Sequence, residues 1–545
     1  MMSSTHPLSR FKNDDFKHLR HRSVRPLLPS ADAEVPLGEH QVHSIWNNVQ
    51  GDVFVLFPKT AENFVFFTIK DAALFKRDLK NYTPSTSLQT VENMASISHA
   101  KGRGTWAEEI VQSQIAFSRA GLDYLGYTDD IQDPRFDTRP MLDDMRFFGD
   151  SGPWYTPFAE GGLHGVFSIA AGSEDECDNA TAEIKTSFTQ SIVSSDEMTL
   201  KGRVRPGENK GHEHFGFRDG ISQPALRGLV DPHPGQIQVD AGVIIMGYPG
   251  DPVLNNPAAP QRPAWTTDGS ILIFRQLEQD VIEFDAYLRR KGRNWRDHVH
   301  GADVQPPLSD AEGAELFGAQ MVGRWKSGAP IAKAPYRDDL EVAENEDEVN
   351  DFDYTVEGIP GPTNRFCPFT AHTRKTMPRN LDPFMTPKFF ESVASVRAGI
   401  PYGPEVTKEE RDAGASLKDG IHERGLLFVS YQSSLENGFV RQLVPFSGND
   451  FFPITSFTPT KHGQDPIIGS PQPATIRAHA MGTVPSRGEV TVRVKDQYGH
   501  SVDVSGFASS TAIGPTADPQ PFFVKSRGGE YFFVPSVSFV KKISG

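Results

Sequence analysis

FVFFTI, Phe64–Ile69, is followed at once by Lys70 and Asp71, and the reading of the fold starts at that junction. An unbroken apolar and aromatic run of this length reads as a strand buried on both faces. Asp71 is a good helix N-cap, so a helix is expected from there to about Lys80. Further along, QIAFS (Gln114–Ser118) reads as a strand, Gly121–Gly126 as a short helix and HGVFSIAA (His164–Ala171) as another strand. Ile184, Phe188 and Ile192 stand at helical spacing within Ala182–Ile192, and Met198–Val204 closes the series as a strand. The order β-α-β-β-α-β is that of a split βαβ, or ferredoxin-like, α+β unit with an antiparallel sheet.

A similar order is expected downstream. Gly242–Gly247 and Gly269–Phe274 (GSILIF) read as strands, Glu278–Leu288 as a helix with Val281, Phe284 and Leu288 on one face, and Gly425–Tyr431 (GLLFVSY) as a later strand. The chain is therefore divided into an N-terminal arm (residues 1–44), a first ferredoxin-like domain (45–235) and a second (236–545). Asp338–Asp353 carries nine carboxylates. It reads as a solvated acidic loop, with a weak site for Ca²⁺ or Mn²⁺ as the alternative.

Composition narrows the function classes. The 545 residues are 37% hydrophobic and 23% charged, enough for a large core. A net charge of −15 without a long basic run argues against nucleic acid, which needs a positive footprint. Cys177 and Cys367 are the only cysteines, too few for a disulfide framework or a thiolate metal site. No stretch approaches the roughly 20 apolar residues of a membrane helix. The first thirty residues lack the apolar middle of a secretory signal, so the sequence as it stands reads as intracellular, with secretion open if a presequence was removed. Asn-x-Thr occurs at Asn81 and Asn179, a pattern too common to imply export.

Three segments carry candidate chemistry. In KGHEHFGFRDGISQPALRG (Lys210–Gly228), Gly216 and Gly220 bracket Asp219. Glycines there permit a tight turn or close approach to a flat ligand, and the carboxylate can be aimed into a pocket; alone, the pattern is weak evidence and reads more readily as an ordinary turn. In RFCPFTAHTRKTMPRN (Arg365–Asn380), His372 can ligate a haem iron, with Arg379 among the basic residues that follow; a packed surface histidine is the plainer alternative. In TPKFFESVASVRAGIPYGPE (Thr386–Glu405), Thr386, Pro387 and Gly399 bound an expected helix whose last turn holds Arg397. Tyr402 follows in a Pro/Gly loop and is expected near the surface.

Taken with MVGRWKSGAP (Met321–Pro330) and GLLFVSYQ, the segments GFRDGISQP, CPFTAHTRK and RAGIPYGPE resemble the dye-decolorizing peroxidase family, its fungal branch in particular, over roughly residues 45–540. The resemblance implies two ferredoxin-like domains and one haem b per chain, held mainly by the C-terminal half. It implies His372 as axial iron ligand, Asp219 as distal acid–base catalyst, Arg397 as distal cation, and Leu426 and Phe428 as the distal wall. Arg379 is implied as a propionate contact, Asp465 of GQDPIIG as partner of the His372 N–H, and Tyr402 as an exposed oxidation site for bulky dyes. Hydrogen peroxide and aromatic or dye substrates, oxidised in one-electron steps through a ferryl/porphyrin-radical intermediate, are the implied reactants, with a monomer or homodimer as the assembly. A haem carrier on the same fold would need His372 but neither Asp219 nor Arg397.

Overall fold

Strand β1 (Ala61–Ile69) is buried at all but one position, as its apolar run requires. It lies between β3 (Gly165–Ala171) and β4 (Thr199–Arg203), antiparallel to both, and β2 (Val111–Phe117) flanks β3. The Asp71 carboxylate accepts from Leu74 N–H at 2.9 Å and starts the helix Ala72–Leu79. The second helix begins eight residues before the expected Ala182, at Glu174. Ser173 caps it there, and Glu174, Asp175 and Glu176 place negative charge on its positive end.

The computed structural model describes residues 35–545, apart from 103–109, 151, 255–257, 259, 299–303, 359–362, 364, 382–384, 450–451, 454–463, 470–484, 496–500 and 510–522. Most of the expected N-terminal arm, residues 1–34, lies outside the described residues.

Downstream, β5 (Ser270–Gln279), β6 (Ile400–Tyr402), β7 (Gly425–Gln432) and β8 (Val524–Val534) join in the order β6-β7-β5-β8. The first four strands stand as β2-β3-β1-β4, so the spatial order 2-3-1-4 of a ferredoxin-like unit occurs twice. β8 reaches β2 through Phe533 and Phe117, making one antiparallel sheet. At the other end, a Cβ on Gly202 of β4 would collide with Ile400 of β6, so the remaining edges close on one another and the sheet curls into a barrel. The interior is aromatic: Phe66 meets Phe158, Phe274 and Phe532 at ring-centroid distances of 5.0, 4.9 and 6.0 Å. Each such ring buried contributes about 1.5–3 kcal/mol. Residues from both halves thus share one core.

Three expected elements change. Gly242–Gly247 is a buried turn beginning with a 3₁₀ helix at Ala241–Val243, not a strand; Gly242 N–H bonds Pro249 O, so its hydrogen bond closes a local turn. The helix expected at Glu278 starts at Val281, because the alternating SILIFRQLEQ continues as strand to Gln279. The helix expected to end near Gly399 stops at Glu391, and Val396–Arg397 is a short strand against β7. Both cysteines are buried and free, and among the described residues no helix is long and apolar enough to cross a membrane.

Candidate active site

The outer face of the second half's sheet forms one wall of a cavity of about 500 Å³. Strand alternation turns Arg275, Leu277 and Gln279 of β5 toward it, and Leu426 and Phe428 of β7. Leu426 stands opposite Leu277 and Phe428 opposite Arg275. The intervening Phe274, Leu427 and Val429 point into the barrel core. Leu426 and Phe428 are half-buried because their side chains face this cavity.

His372 begins the short helix His372–Thr376 and lines the same cavity. That helix packs tightly on the end of Asp310–Val322: Gly323, at φ +93°, has no room for a Cβ beside Thr373. His372 Nδ1 donates to Asp465 Oδ2 at 2.7 Å. Asp465 is fully buried, and its Oδ1 accepts from Ile467 and Ile468 N–H at 2.7 and 3.1 Å. Burial opposes the imidazolium, but the Asp465 carboxylate outweighs it and raises the His372 pKa overall. The same contact fixes the tautomer, leaving the Nε2 lone pair as the one that could bind a metal.

Asp219 and Arg397 line the cavity and meet at 3.1 Å through Oδ1 and Nη1. Asp219 Oδ1 also accepts from Gly220 N–H at 2.6 Å. Gly220, at φ +76°, has no atom within 4 Å of where a Cβ would stand, so its backbone opens to the cavity. Gly216, at φ +91°, shapes the turn but is not a lining residue. Arg397 reaches the cavity from a strand and not from a helix end; alternation there puts Val396 in the core and Arg397 outward.

Two residues that the motif reading passed over hold this arrangement. Glu213 is half-buried and accepts from Phe217 and Phe215 N–H at 2.8 and 2.9 Å, fixing the loop before Asp219. Burial raises its pKa against those hydrogen bonds and that of Gln279. Gln223 bonds both backbone groups of Arg397. Both lie inside the quoted motif, but their partners or their burial are visible only in three dimensions.

A third such residue, Arg324 of MVGRW, forms a buried cation pair with Arg379. They stack on Phe352 at 5.3 and 3.8 Å, and both line the cavity. Arg379 donates to the carbonyls of Gly235, Asn350 and Phe352; Arg324 donates to those of Gly328 and Val349 and to Asn350 Oδ1. All these acceptors are neutral. Burial, then Arg379, brings the Arg324 pKa down to about 9, so it still carries its charge at neutral pH. A ligand bearing carboxylates would neutralise this pair, and a haem has two propionates. A haem iron also needs only one or two ligands outside its porphyrin plane, which suits a single free imidazole nitrogen. The residues fit the group.

Tyr402 departs from expectation. Its register partner is Gly425, so it shares a sheet face with Leu427 and not with Leu426. Its hydroxyl has no exposed surface, and burial raises the phenol pKa. The residue as a whole is half-buried and packs against the barrel core, on the opposite side of the sheet from the cavity. The acidic stretch gives no metal cluster among the described residues. Its carboxylates act locally: Asp339 caps Leu340–Glu344, Ser327 Oγ donates to Asp338, and Glu348 pairs with Lys333.

Fold and site together define an α+β barrel with a cavity whose residues suit a haem. The family model described as the DyP dimeric alpha+beta barrel domain matches residues 48–206. A dye-decolorizing peroxidase of Mycetinis scorodonius is 36% identical, covering 95% of this chain and 91% of that protein. One of Auricularia auricula-judae is 38% identical, covering 91% and 86%. A solved dye-decolorizing peroxidase in complex with 2,6-dimethoxyphenol superposes with a TM-score of 0.72 at 34% identity, covering 92% of this chain and 99% of that one. The chain belongs to the dye-decolorizing peroxidases, a family of haem peroxidases acting on hydrogen peroxide.

Proposed function

We propose that the chain binds one haem b, whose iron His372 Nε2 would hold, and uses Asp219 and Arg397 to split hydrogen peroxide. The observation that carries this reading is the meeting, in one cavity, of an Asp-anchored imidazole, an Asp–Arg pair and two buried guanidiniums that donate to neutral carbonyl and carboxamide oxygens. Most of the lining residues follow residue 236, and the loop of Asp219 supplies much of the rest.

When bound, haem supplies the redox chemistry; the protein's residues do the rest. Asp219 Oδ1 is held by Gly220 and Arg397, which leaves Oδ2 to take a proton from one peroxide oxygen and return it to the other, so that water can leave. Positioned proton transfer of this kind contributes about 10²–10⁴-fold. Arg397, fixed by Asp219 and by Ser222 O at 3.2 Å, stabilises negative charge as the O–O bond breaks. Asp465 keeps the His372 ring in one tautomer and orientation. Leu426 and Phe428 keep bulk water off the reacting oxygens.

Dyes and phenols are the proposed electron donors, each giving single electrons. The 2,6-dimethoxyphenol bound by the solved relative supports a phenolic donor. Titrating the protein with haemin tests the cofactor assignment. The wild type is expected to give a Soret band at one equivalent, and His372→Ala to lose the axial-imidazole spectrum and regain it with added imidazole. An unchanged His372→Ala spectrum would overturn the ligand assignment.

A further inference from the structure

We propose that Gln223 is a positioning residue for Arg397, a role that rests on reading Arg397 as the distal cation. The two are 174 positions apart, yet the Gln223 carboxamide engages both polar groups of the Arg397 backbone. Arg397 N–H donates to Gln223 Oε1 at 3.0 Å, and Gln223 Nε2 donates to Arg397 O at 2.7 Å. This is the pairing a further strand would offer, made by one side chain on the edge of Val396–Arg397. On the other edge, Ala398 N–H bonds Val429 O of β7 at 2.9 Å.

The clamp belongs to the loop that carries Asp219. Within five residues, that loop meets Arg397 at its backbone N–H, its backbone C=O, Nη1 (Asp219) and Nη2 (Ser222 O). The loop is itself anchored, since Gln236 Nε2 donates to Gln223 O at 2.8 Å. Asp219 and Arg397 therefore move as one unit, with Gln223 setting how far the guanidinium projects into the cavity. Displacing such a group by about 1 Å costs on the order of 10²-fold in rate.

The test uses haem-loaded protein in five forms: wild type, Gln223→Ala, Gln223→Glu, Arg397→Leu and the Gln223→Ala/Arg397→Leu double variant. Two quantities are read: the second-order rate constant with hydrogen peroxide, and the Kd of fluoride for the ferric protein, an equilibrium probe of the distal cation. Gln223→Ala is expected to lower the rate about 10- to 100-fold and to weaken fluoride binding. Gln223→Glu, which keeps the acceptor but loses the donor, is expected to fall between, and it carries the test if Gln223→Ala does not fold. Adding Gln223→Ala to Arg397→Leu is expected to change neither readout. If Arg397→Leu is impaired but Gln223→Ala and Gln223→Glu match wild type, or if the Gln223→Ala loss recurs in full on the Arg397→Leu background, the positioning role is overturned. If Arg397→Leu itself matches wild type in both readouts, the functional reading of Arg397 falls, and this proposal with it.

Discussion

At the scale of single residues, each charged group of the cavity is held by a partner: Asp465 anchors His372, and Gly220 and Arg397 hold Asp219. Asp219, His372 and Arg397 could be picked out because each sits in a run of unusual residue types, and all three line one cavity. Arg324, Glu213 and Gln223 were passed over because an arginine, a glutamate or a glutamine announces nothing until its partners are known. Tyr402 shows the reverse case. A Pro/Gly loop suggested exposure, but period-2 alternation from Gly425 turns it to the inner face. Its hydroxyl is buried and is not open to a dye. Tyr402→Phe is expected to oxidise a bulky anthraquinone dye within about twofold of wild type, since the hydroxyl it removes has no exposed surface for a dye to touch. A large drop confined to bulky dyes, with 2,6-dimethoxyphenol unaffected, would show that Tyr402 serves the reaction from the interior.

At the scale of elements, strands with a continuous or alternating apolar pattern were legible, and short ones were not. GLLFVSY reads as a strand from Gly425 to Tyr431, one residue short of its end at Gln432. TPKFFESVASVRAGI was read as one helix because Phe389, Val393 and Val396 fit helical spacing, yet the same three positions also fit a helix, a turn and a strand. Long-range pairing decided between them: Val396 and Arg397 are held by Tyr431 and Ser430 of β7. Ala398→Pro tests this assignment. It removes the Ala398 N–H to Val429 O bond and leaves a buried acceptor unpaired, expected to cost about 1–3 kcal/mol in chemical denaturation. An unchanged midpoint would contradict the pairing of this segment with β7.

At the scale of the whole molecule, the doubled 2-3-1-4 order was anticipated only as two related halves. Closure into one barrel was not legible, because it depends on Phe533 meeting Phe117 and on Gly202 lying against Ile400. Folding both halves around one core also buries titratable groups. His214 is buried, beside Arg205, and its pKa is lowered to about 4. Its folded pKa lies below the unfolded value, so its contribution is complete above about pH 6.5 and is lost as the pH falls through 4. Glu530 is buried on β8 and its pKa is raised to about 7, despite hydrogen bonds from Met141 and Tyr531 N–H. Here the sign reverses: stability is complete below about pH 4.5 and is lost as the pH rises through 7. The two slopes oppose one another across mildly acidic pH. Glu530→Gln is therefore expected to gain on wild type by up to about 3 kcal/mol between pH 4.5 and 7. His214→Gln is expected to lose ground against wild type between pH 4 and 6.5. Denaturation midpoints measured across that range check both, and parallel curves would refute the burial argument.

These scales converge on Asp219, which the barrel, its loop and Arg397 hold at the mouth of one cavity. The most direct measurement is the rate at which haem-loaded Asp219→Asn reacts with one equivalent of hydrogen peroxide, followed by stopped-flow absorbance beside wild type. The predicted result is an unchanged resting spectrum with a rate about 10²–10⁴-fold lower. A variant that loads haem normally and reacts as fast as wild type would contradict the account.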